Sequence, residues 1–232
     1  MRTGYEDLIH RFVEQRFPGA TSVIVAGSTV RGERTATSDV DLLLLGPEGF
    51  LADGADSLAA TYAHEGETIE VFAYARHGFE RWARRGVEDR RPVIVRMLLE
   101  GRALVGDRDL DDLRERWAEV SERGPQPTRA EVDALRYAVT DLLDDLQDAS
   151  DELERRVIAD ALLRQVAALV LVTSHRWIAT GKHLARELRH WDPERAARLT
   201  DPYVAGDLAA FHAAASTELD AAGGRLSTGF VR

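Results

Sequence analysis

The stretch at residues 23–46 reads VIVAGSTVRGERTATSDVDLLLLG and contains two apolar runs separated by a polar segment. The first run is rich in β-branched side chains and ends at Gly27 and Ser28, which predicts a buried strand entering a tight turn. A glycine lets the backbone approach a phosphate closely, and a serine at a helix start can donate its hydroxyl and its backbone N–H to an anion. The stretch therefore predicts a phosphate-binding turn between two strands.

Two carboxylates stand at the start of the second apolar run. Asp39 and Asp41 are two residues apart, so in a strand both point to one side while Val40 and Leu42 point to the other. Adjacent carboxylates repel each other unless a cation lies near them. Hard divalent ions such as Mg²⁺ prefer oxygen ligands and commonly use one or two carboxylates together with the phosphates of a substrate. The spacing therefore predicts a metal site beside the phosphate-binding turn.

These residues resemble the signature of the polymerase-beta-like nucleotidyltransferase superfamily. The signature is a hydrophobic residue, Gly, Gly or Ser, a spacer, and then Asp, hydrophobic, Asp or Glu, hydrophobic. Here Ala-Gly-Ser stands at 26–28 and Asp-Val-Asp-Leu at 39–42. Arg31, Gly32 and Ser38 are also similar to the small bacterial members that modify antibiotics. The resemblance implies a nucleotidyltransferase enzyme.

The superfamily carries a third carboxylate on a later strand, and residues 67–74, ETIEVFAY, offer two candidates. Glu70 lies between apolar neighbours, and a Glu at this place resembles the streptomycin and spectinomycin adenylyltransferases, although many relatives use Asp. Glu67 is the competing choice. It precedes the apolar run, so we expect it at the strand edge.

The resemblance also implies a reaction. A nucleoside monophosphate, AMP from ATP by default, would pass to a hydroxyl of a small, antibiotic-like acceptor, with release of pyrophosphate. Two Mg²⁺ ions would be held by the catalytic residues Asp39, Asp41 and Glu70. Glu70 would ligate the metal near the attacking group, take the proton from the acceptor hydroxyl, or do both. The residues expected at the nucleotide are Gly27, Ser28, Arg31, Ser38 and Lys182.

Two of these assignments have structural alternatives, and the function has others. Arg31 could cap the short helix after Gly27, and Lys182 could be a surface lysine after a helix break. An alternative function is adenylylation of a protein or RNA in a toxin–antitoxin system. Arg176 and His183 frame that alternative, because they satisfy the loose Arg-x₆-His pattern of the HEPN toxin ribonucleases. A nucleotide-binding member without turnover is disfavoured by the complete set of site residues.

Composition and charge limit the classes of molecule that we expect the chain to bind. The chain has 232 residues, 44% of them hydrophobic, and a formal net charge of −10, which disfavours a nucleic-acid binder and suits a cationic small substrate. The absence of cysteine excludes disulfides and thiolate metal sites and fits a reducing cytoplasm. The N-terminus is amphipathic and carries acids, so it does not resemble a signal peptide. The apolar run at 157–172 contains charges, so we expect no membrane span. A monomer or a homodimer is compatible with all of this.

The pattern changes at residues 124–127, GPQP, the clearest linker in the sequence. Residues 1–123 predict an α+β nucleotidyltransferase domain, a mixed sheet with flanking helices. Residues 128–232 predict a helical bundle, a pairing that resembles the aminoglycoside nucleotidyltransferases. An acidic stripe in the bundle is either a solvated face or part of the acceptor cleft. It consists of Asp141, Asp144, Asp145 and Asp148.

Individual elements are predicted from caps and periodicity. Helices are expected over residues 5–17, 51–63, 93–100 and 110–120, with a strand at 102–105. Thr128 and Glu131 form a capping box that opens a helix running to about residue 149. An apolar helix follows over 151–180. Asp192-Pro193 and Asp201-Pro202 each predict an N-cap followed by proline at the first helical position.

Overall fold

A computed structural model describes residues 4–106 and 108–228 of the chain. The chain divides into two compact units, Met1–Arg123 and Gly124–Arg232. The first unit contains a five-stranded sheet with helices packed against it, and the described part of the second unit is helical. The predicted α+β fold with a helical C-terminal region is therefore confirmed.

The described residues form the following helices and strands. The helices of the first unit are α1 (Gly4–Arg16), α2 (Gly27–Arg31), α3 (Arg76–Glu88), α4 (Val93–Glu100) and α5 (Arg108–Arg123). Its strands are β1 (Ser22–Ala26), β2 (Val40–Gly46), β3 (Ser57–His64), β4 (Glu67–Ala75) and β5 (Arg102–Val105), with a 3₁₀ turn at Ala52–Gly54. The helices of the second unit are α6 (Arg129–Asp148), α7 (Glu152–Thr173), α8 (Lys182–Trp191), α9 (Pro193–Ala205) and α10 (Leu208–Ala221).

The sheet is mixed, with the strand order β3-β4-β2-β1-β5. Strands β2 and β4 run parallel at its centre, and the other neighbouring pairs are antiparallel. Side chains alternate along β2: Val40, Leu42 and Leu44 pack in a core with α1, whereas Leu43 and Leu45 pack in a second core with α3, α4 and α5. Because both faces of the central strands are covered, these strands are almost continuously apolar.

The helix expected over residues 51–63 is wrong. Strand β3 occupies Ser57–His64 and pairs antiparallel with β4, so the two strands form a hairpin. Its two-residue turn is Glu65-Gly66, and both residues have positive φ, 49° and 85°, as the favoured two-residue hairpin turns require. Alanine-rich composition favoured a helix locally, but pairing with the edge of β4 decided the structure. Helix α3 was not predicted at all.

The second unit shows two further differences. The capping box at Thr128 opens α6 as predicted, with Thr128 Oγ1 accepting from the Glu131 backbone N–H at 3.2 Å. Helix α7 ends at Thr173, earlier than expected. Asp201 and Pro202 lie inside α9 and do not start a helix. The proline removes only one backbone hydrogen bond near the helix end, and the next helix is instead capped by Asp207, which accepts from the Ala210 N–H at 2.9 Å.

The core of the second unit explains the apolar run at 157–172. Helix α7 buries Leu162, Val166 and Leu169 against α6 and α10, where Leu143 and Phe211 are also fully buried. None of the helices in residues 4–106 and 108–228 is long and apolar enough to cross a membrane.

Candidate active site

The parallel pairing of β2 and β4 brings two of the predicted carboxylates together. Asp41 lies opposite Glu70 in the register, and on the other side of β2 it lies opposite Ala26, the last residue of β1. Both acids are half-buried, and both belong to the sheet face that carries Leu43 and Phe72. Their carboxyl groups are close enough to hydrogen bond to each other. Such a bond needs a proton between them, because an ionised carboxylate can only accept.

The pKa of Glu70 reflects its burial and the closeness of the other acids. Burial raises the pKa of the Glu70 carboxyl, and the negative charge of Asp41, the hydrogen bond with Asp41 and the charge of Asp39 raise it further. In the described part of the chain, Glu70 has no ion pair with an arginine or lysine that would offset these effects. A divalent cation beside the two acids would offset them.

The turn after β1 touches this acid pair directly. Gly27 has a φ of +66°, and a Cβ placed on it would lie 1.8 Å from Asp41 Oδ2 and 2.8 Å from Asp41 Cγ. Only glycine fits here, because the left-handed backbone and the nearby carboxylate both exclude a side chain. The Gly-Ser turn and the carboxylates of β2 and β4 therefore form one continuous site.

Ser28 follows as a buried residue in the first turn of α2. Its carbonyl oxygen accepts the backbone N–H of Gly32 and that of Glu33, the latter at 3.0 Å. These bonds close the short helix and fix the backbone on which the Ser28 hydroxyl is mounted. A serine hydroxyl can serve as donor or acceptor, so it suits a phosphate oxygen next to the acid pair.

Asp39 is more exposed than Asp41 and Glu70, and it lies outside the strands. It is exposed and stands immediately before β2, yet its charge reaches Glu70. Within residues 4–106 and 108–228, no three acidic or histidine side chains are gathered closely enough to hold a metal ion together. The structure thus brings Asp41 and Glu70 together and leaves Asp39 at the rim.

The donor chemistry nevertheless fits Mg²⁺. Asp41 and Glu70 supply only oxygen atoms, and burial together with the nearby charges of Asp41 and Asp39 raises the pKa of Glu70. One or two carboxylates together with substrate phosphates are a common way of binding this ion.

Two other residues expected at the nucleotide have partners in the loop after α2. Arg31 is exposed and its Nε donates to Glu33 Oε2 at 3.1 Å. Ser38 Oγ accepts the Thr35 backbone N–H at 2.9 Å. Arg31 therefore pairs with an acid just after α2, and Ser38 forms a hydrogen bond within the loop that leads to Asp39.

The remaining predicted residues lie in the second unit. Lys182 is exposed and is the first residue of α8, after Gly181. All four aspartates of the acidic stripe are exposed on α6, and Asp144 forms an ion pair with Arg225. Part of the stripe's charge is therefore already neutralised within the unit.

Arg34 is the residue beside the site that sequence analysis missed. It lies in the loop between α2 and β2 and forms an ion pair with Glu67, the first residue of β4. The hydrogen bond from Arg34 lowers the pKa of the Glu67 carboxyl. The two glutamates of β4 therefore have opposite electrostatic environments. Glu67 lies beside the guanidinium of Arg34, whereas Glu70 lies near the carboxylates of Asp41 and Asp39.

Comparison with known proteins agrees with this geometry. Residues 7–102, which run from α1 to the start of β5, match the nucleotidyltransferase domain family. The matched residues all lie within the first unit. The predicted class of enzyme, a nucleotidyltransferase, is thereby confirmed. A similar solved structure is that of a nucleotidyltransferase-like protein from Exiguobacterium sibiricum 255-15, which is 15% identical, with 94% of this chain and 74% of that chain covered and a TM-score of 0.48. No curated protein matches the chain.

Proposed function

We propose that this nucleotidyltransferase transfers AMP from ATP to a hydroxyl group of a small, cationic, antibiotic-like acceptor and releases pyrophosphate. The observation that carries the proposal is the contact of the Gly27 turn with Asp41, which in turn lies beside Glu70. A phosphate held at the turn would lie next to the carboxylates. That is the arrangement needed to bind a nucleoside triphosphate through its phosphates.

We assign a different role to each of three residues of the first unit, Gly27, Ser28 and Glu70. Gly27 keeps the backbone open, so that phosphate oxygens and the Asp41 carboxylate can share one small space. Ser28 donates to a phosphate oxygen from a fixed position at the start of α2. Glu70 faces the same space, and as an ionised carboxylate it accepts the proton of the acceptor hydroxyl. Holding the two reactants in line supplies much of the rate.

Divalent ions fit this site, and Asp39, Asp41 and Glu70 would hold them. When bound, they would neutralise the charge on the transferred phosphoryl group and on the leaving pyrophosphate. They would also offset the burial and the repulsion from Asp41 and Asp39 that together raise the pKa of Glu70.

The acceptor is proposed from charge. A net charge of −10 attracts a cation and repels a polyanion such as nucleic acid. The exposed acidic stripe on α6 is a candidate contact for ammonium groups. Lys182 is retained as a proposed contact for the triphosphate because it resembles a lysine of related enzymes.

The test is incubation of the protein with ATP labelled at the α-phosphate, Mg²⁺ and a panel of acceptors. The panel holds aminoglycosides, lincosamides, an RNA mixture and candidate proteins. We expect label on a cationic small molecule, and none with Asp41→Asn or with EDTA. Label on protein or RNA alone would refute the proposed acceptor, and absence of label from every acceptor would refute the proposed activity.

A further inference from the structure

Arg34 connects three parts of the first unit at one point. Its Nη2 donates to the carbonyl oxygen of Ser38 at 2.9 Å and also to the carboxylate of Glu67. Its guanidinium carbon lies 4.8 Å from the centroid of the Tyr5 ring, which belongs to α1. One side chain thus joins the loop before β2, the start of β4 and the first helix.

The two hydrogen-bond partners of Arg34 both lie close in sequence to the proposed metal-binding acids. Ser38 immediately precedes Asp39, and Glu67 lies three residues before Glu70 on the same strand. Asp39 itself stands outside β2, so the backbone ladder between β2 and β4 does not fix it. Val40, after Asp39, is paired with Ile69 of β4, and the Arg34 bridge adds a tie on the other side, between the backbone before Asp39 and the strand that carries Glu70.

We propose that Arg34 is a positioning residue of the metal site, and that its bridge from Ser38 to Glu67 sets the distance between Asp39 and Glu70. The inference rests on the proposed function, because it assigns Arg34 a task in holding the divalent ions. Arg34 does not touch the substrate in this account. It acts through the loop that delivers Asp39.

The bridge contributes more to position than to folding stability. The side chains of Arg34 and Glu67 are 28% and 31% exposed, and ion pairs that are open to solvent contribute little to the free energy of folding. Both bonds come from Nη2, however, and the planar guanidinium fixes the directions of its two N–H groups, so this one nitrogen sets the positions of both acceptors. Loss of the bridge should therefore loosen the loop and leave the fold intact.

The chain offers a matched control for this pair. Arg11 on α1 forms a two-pronged ion pair with Glu65 in the hairpin turn, with Nε–Oε1 and Nη2–Oε2 distances of 2.9 and 2.6 Å. It joins the same helix to the same hairpin, but neither partner adjoins Asp39 or Glu70. Arg11→Ala removes an ion pair of the same type without touching the loop.

The experiment measures Mn²⁺ binding directly, by the electron paramagnetic resonance signal of free Mn²⁺ over metal-stripped full-length protein. We expect Arg34→Ala and Glu67→Ala each to raise the Kd for Mn²⁺ by about 10-fold or more, the usual effect of removing a group that supports a metal ligand. The double variant should be no weaker than either single variant, because both changes break one bridge. Glu67→Gln, which still offers an acceptor oxygen to Arg34, should restore most of the affinity, and Arg11→Ala should leave the Kd unchanged.

The outcomes separate this inference from the proposed function. If the wild type binds Mn²⁺ and transfers nucleotide while Arg34→Ala keeps the wild-type Kd, the positioning role is wrong and the proposed function stands. The positioning role is equally wrong if Arg11→Ala weakens Mn²⁺ binding as much as Arg34→Ala does, since the effect would then be general. If the wild type neither binds Mn²⁺ nor transfers nucleotide, both the proposed function and the role of Arg34 fail.

Discussion

Replacing Gly27 with alanine tests the contact that joins the turn to the acid pair. The structure offers Gly32, five residues on, as its control. Gly27 and Gly32 have nearly the same left-handed φ, +66° and +69°. A Cβ on Gly32 would meet nothing within 4 Å, whereas a Cβ on Gly27 would lie 1.8 Å from Asp41 Oδ2.

The free energies of unfolding of the two variants should therefore differ by the cost of displacing the Asp41 carboxylate. Alanine in a left-handed conformation costs about 1–2 kcal/mol, and both variants bear that cost. Gly27→Ala must in addition drive the Asp41 side chain from its preferred rotamer, at about 0.5–1.5 kcal/mol. The catalytic loss should be much larger than the loss of stability, because displacement of a reacting group by about 1 Å can cost on the order of 10²-fold in rate.

Urea denaturation and single-turnover transfer of labelled AMP measure the two effects. We expect Gly32→Ala to lower the free energy of unfolding and keep most of the transfer rate, and Gly27→Ala to lose both. In an Asp41→Ala background most of the extra stability cost of Gly27→Ala should disappear, because the Asp41 atoms nearest to the added Cβ are then absent. Equal transfer rates for the Gly27 and Gly32 variants would refute the contact between the turn and Asp41.

Three further predictions follow from the site and its surroundings. Mg-ATP should raise the Tm of the wild type by mass action, and the shift should shrink in EDTA and in Ser28→Ala; an equal shift without divalent metal, seen by differential scanning fluorimetry, would contradict the proposed binding mode. In EDTA the free energy of unfolding should fall as pH rises above about 4.5, because the folded-state pKa of Glu70 is raised above that ordinary value. Urea titrations across pH should show a smaller fall for Glu70→Gln, and an unchanged slope would contradict the crowding of the acids. Asp145→Lys should raise the KM for a cationic acceptor and spare that for ATP in steady-state assays, and an unchanged acceptor KM would assign the stripe to a solvated face.

The central strands and their acids could be predicted because their signals are local. The alternation of residues along a strand placed Asp41 opposite in direction to Leu42, and β2 has that alternation. Apolar neighbours on both sides of Glu70 indicated a buried strand, and β4 has one. The capping box at Thr128 likewise uses only residues three apart.

The features that were missed depend on contacts distant in sequence. Arg34 and Glu67 are 33 residues apart, and no local pattern indicates that they meet. Strand β3 was mistaken for a helix because its alanines favour a helix locally, and its pairing with β4 is a contact that the local pattern does not show. Pro202 was mistaken for a helix start because the sequence does not show that α9 was already under way.

The most direct test of the account is the single-turnover rate of Glu70→Gln beside that of Glu67→Gln. Glu70→Gln keeps the shape of the side chain and removes its charge, so ATP binding should survive while transfer falls by roughly 10²–10⁴-fold, the usual contribution of a general base. Glu67→Gln keeps an acceptor for Arg34, so its rate should fall by less than about tenfold, since a neutral hydrogen bond replaces a charged one. The reverse result, with Glu67 essential and Glu70 dispensable, would contradict the assignment of the third carboxylate and with it the proposed site.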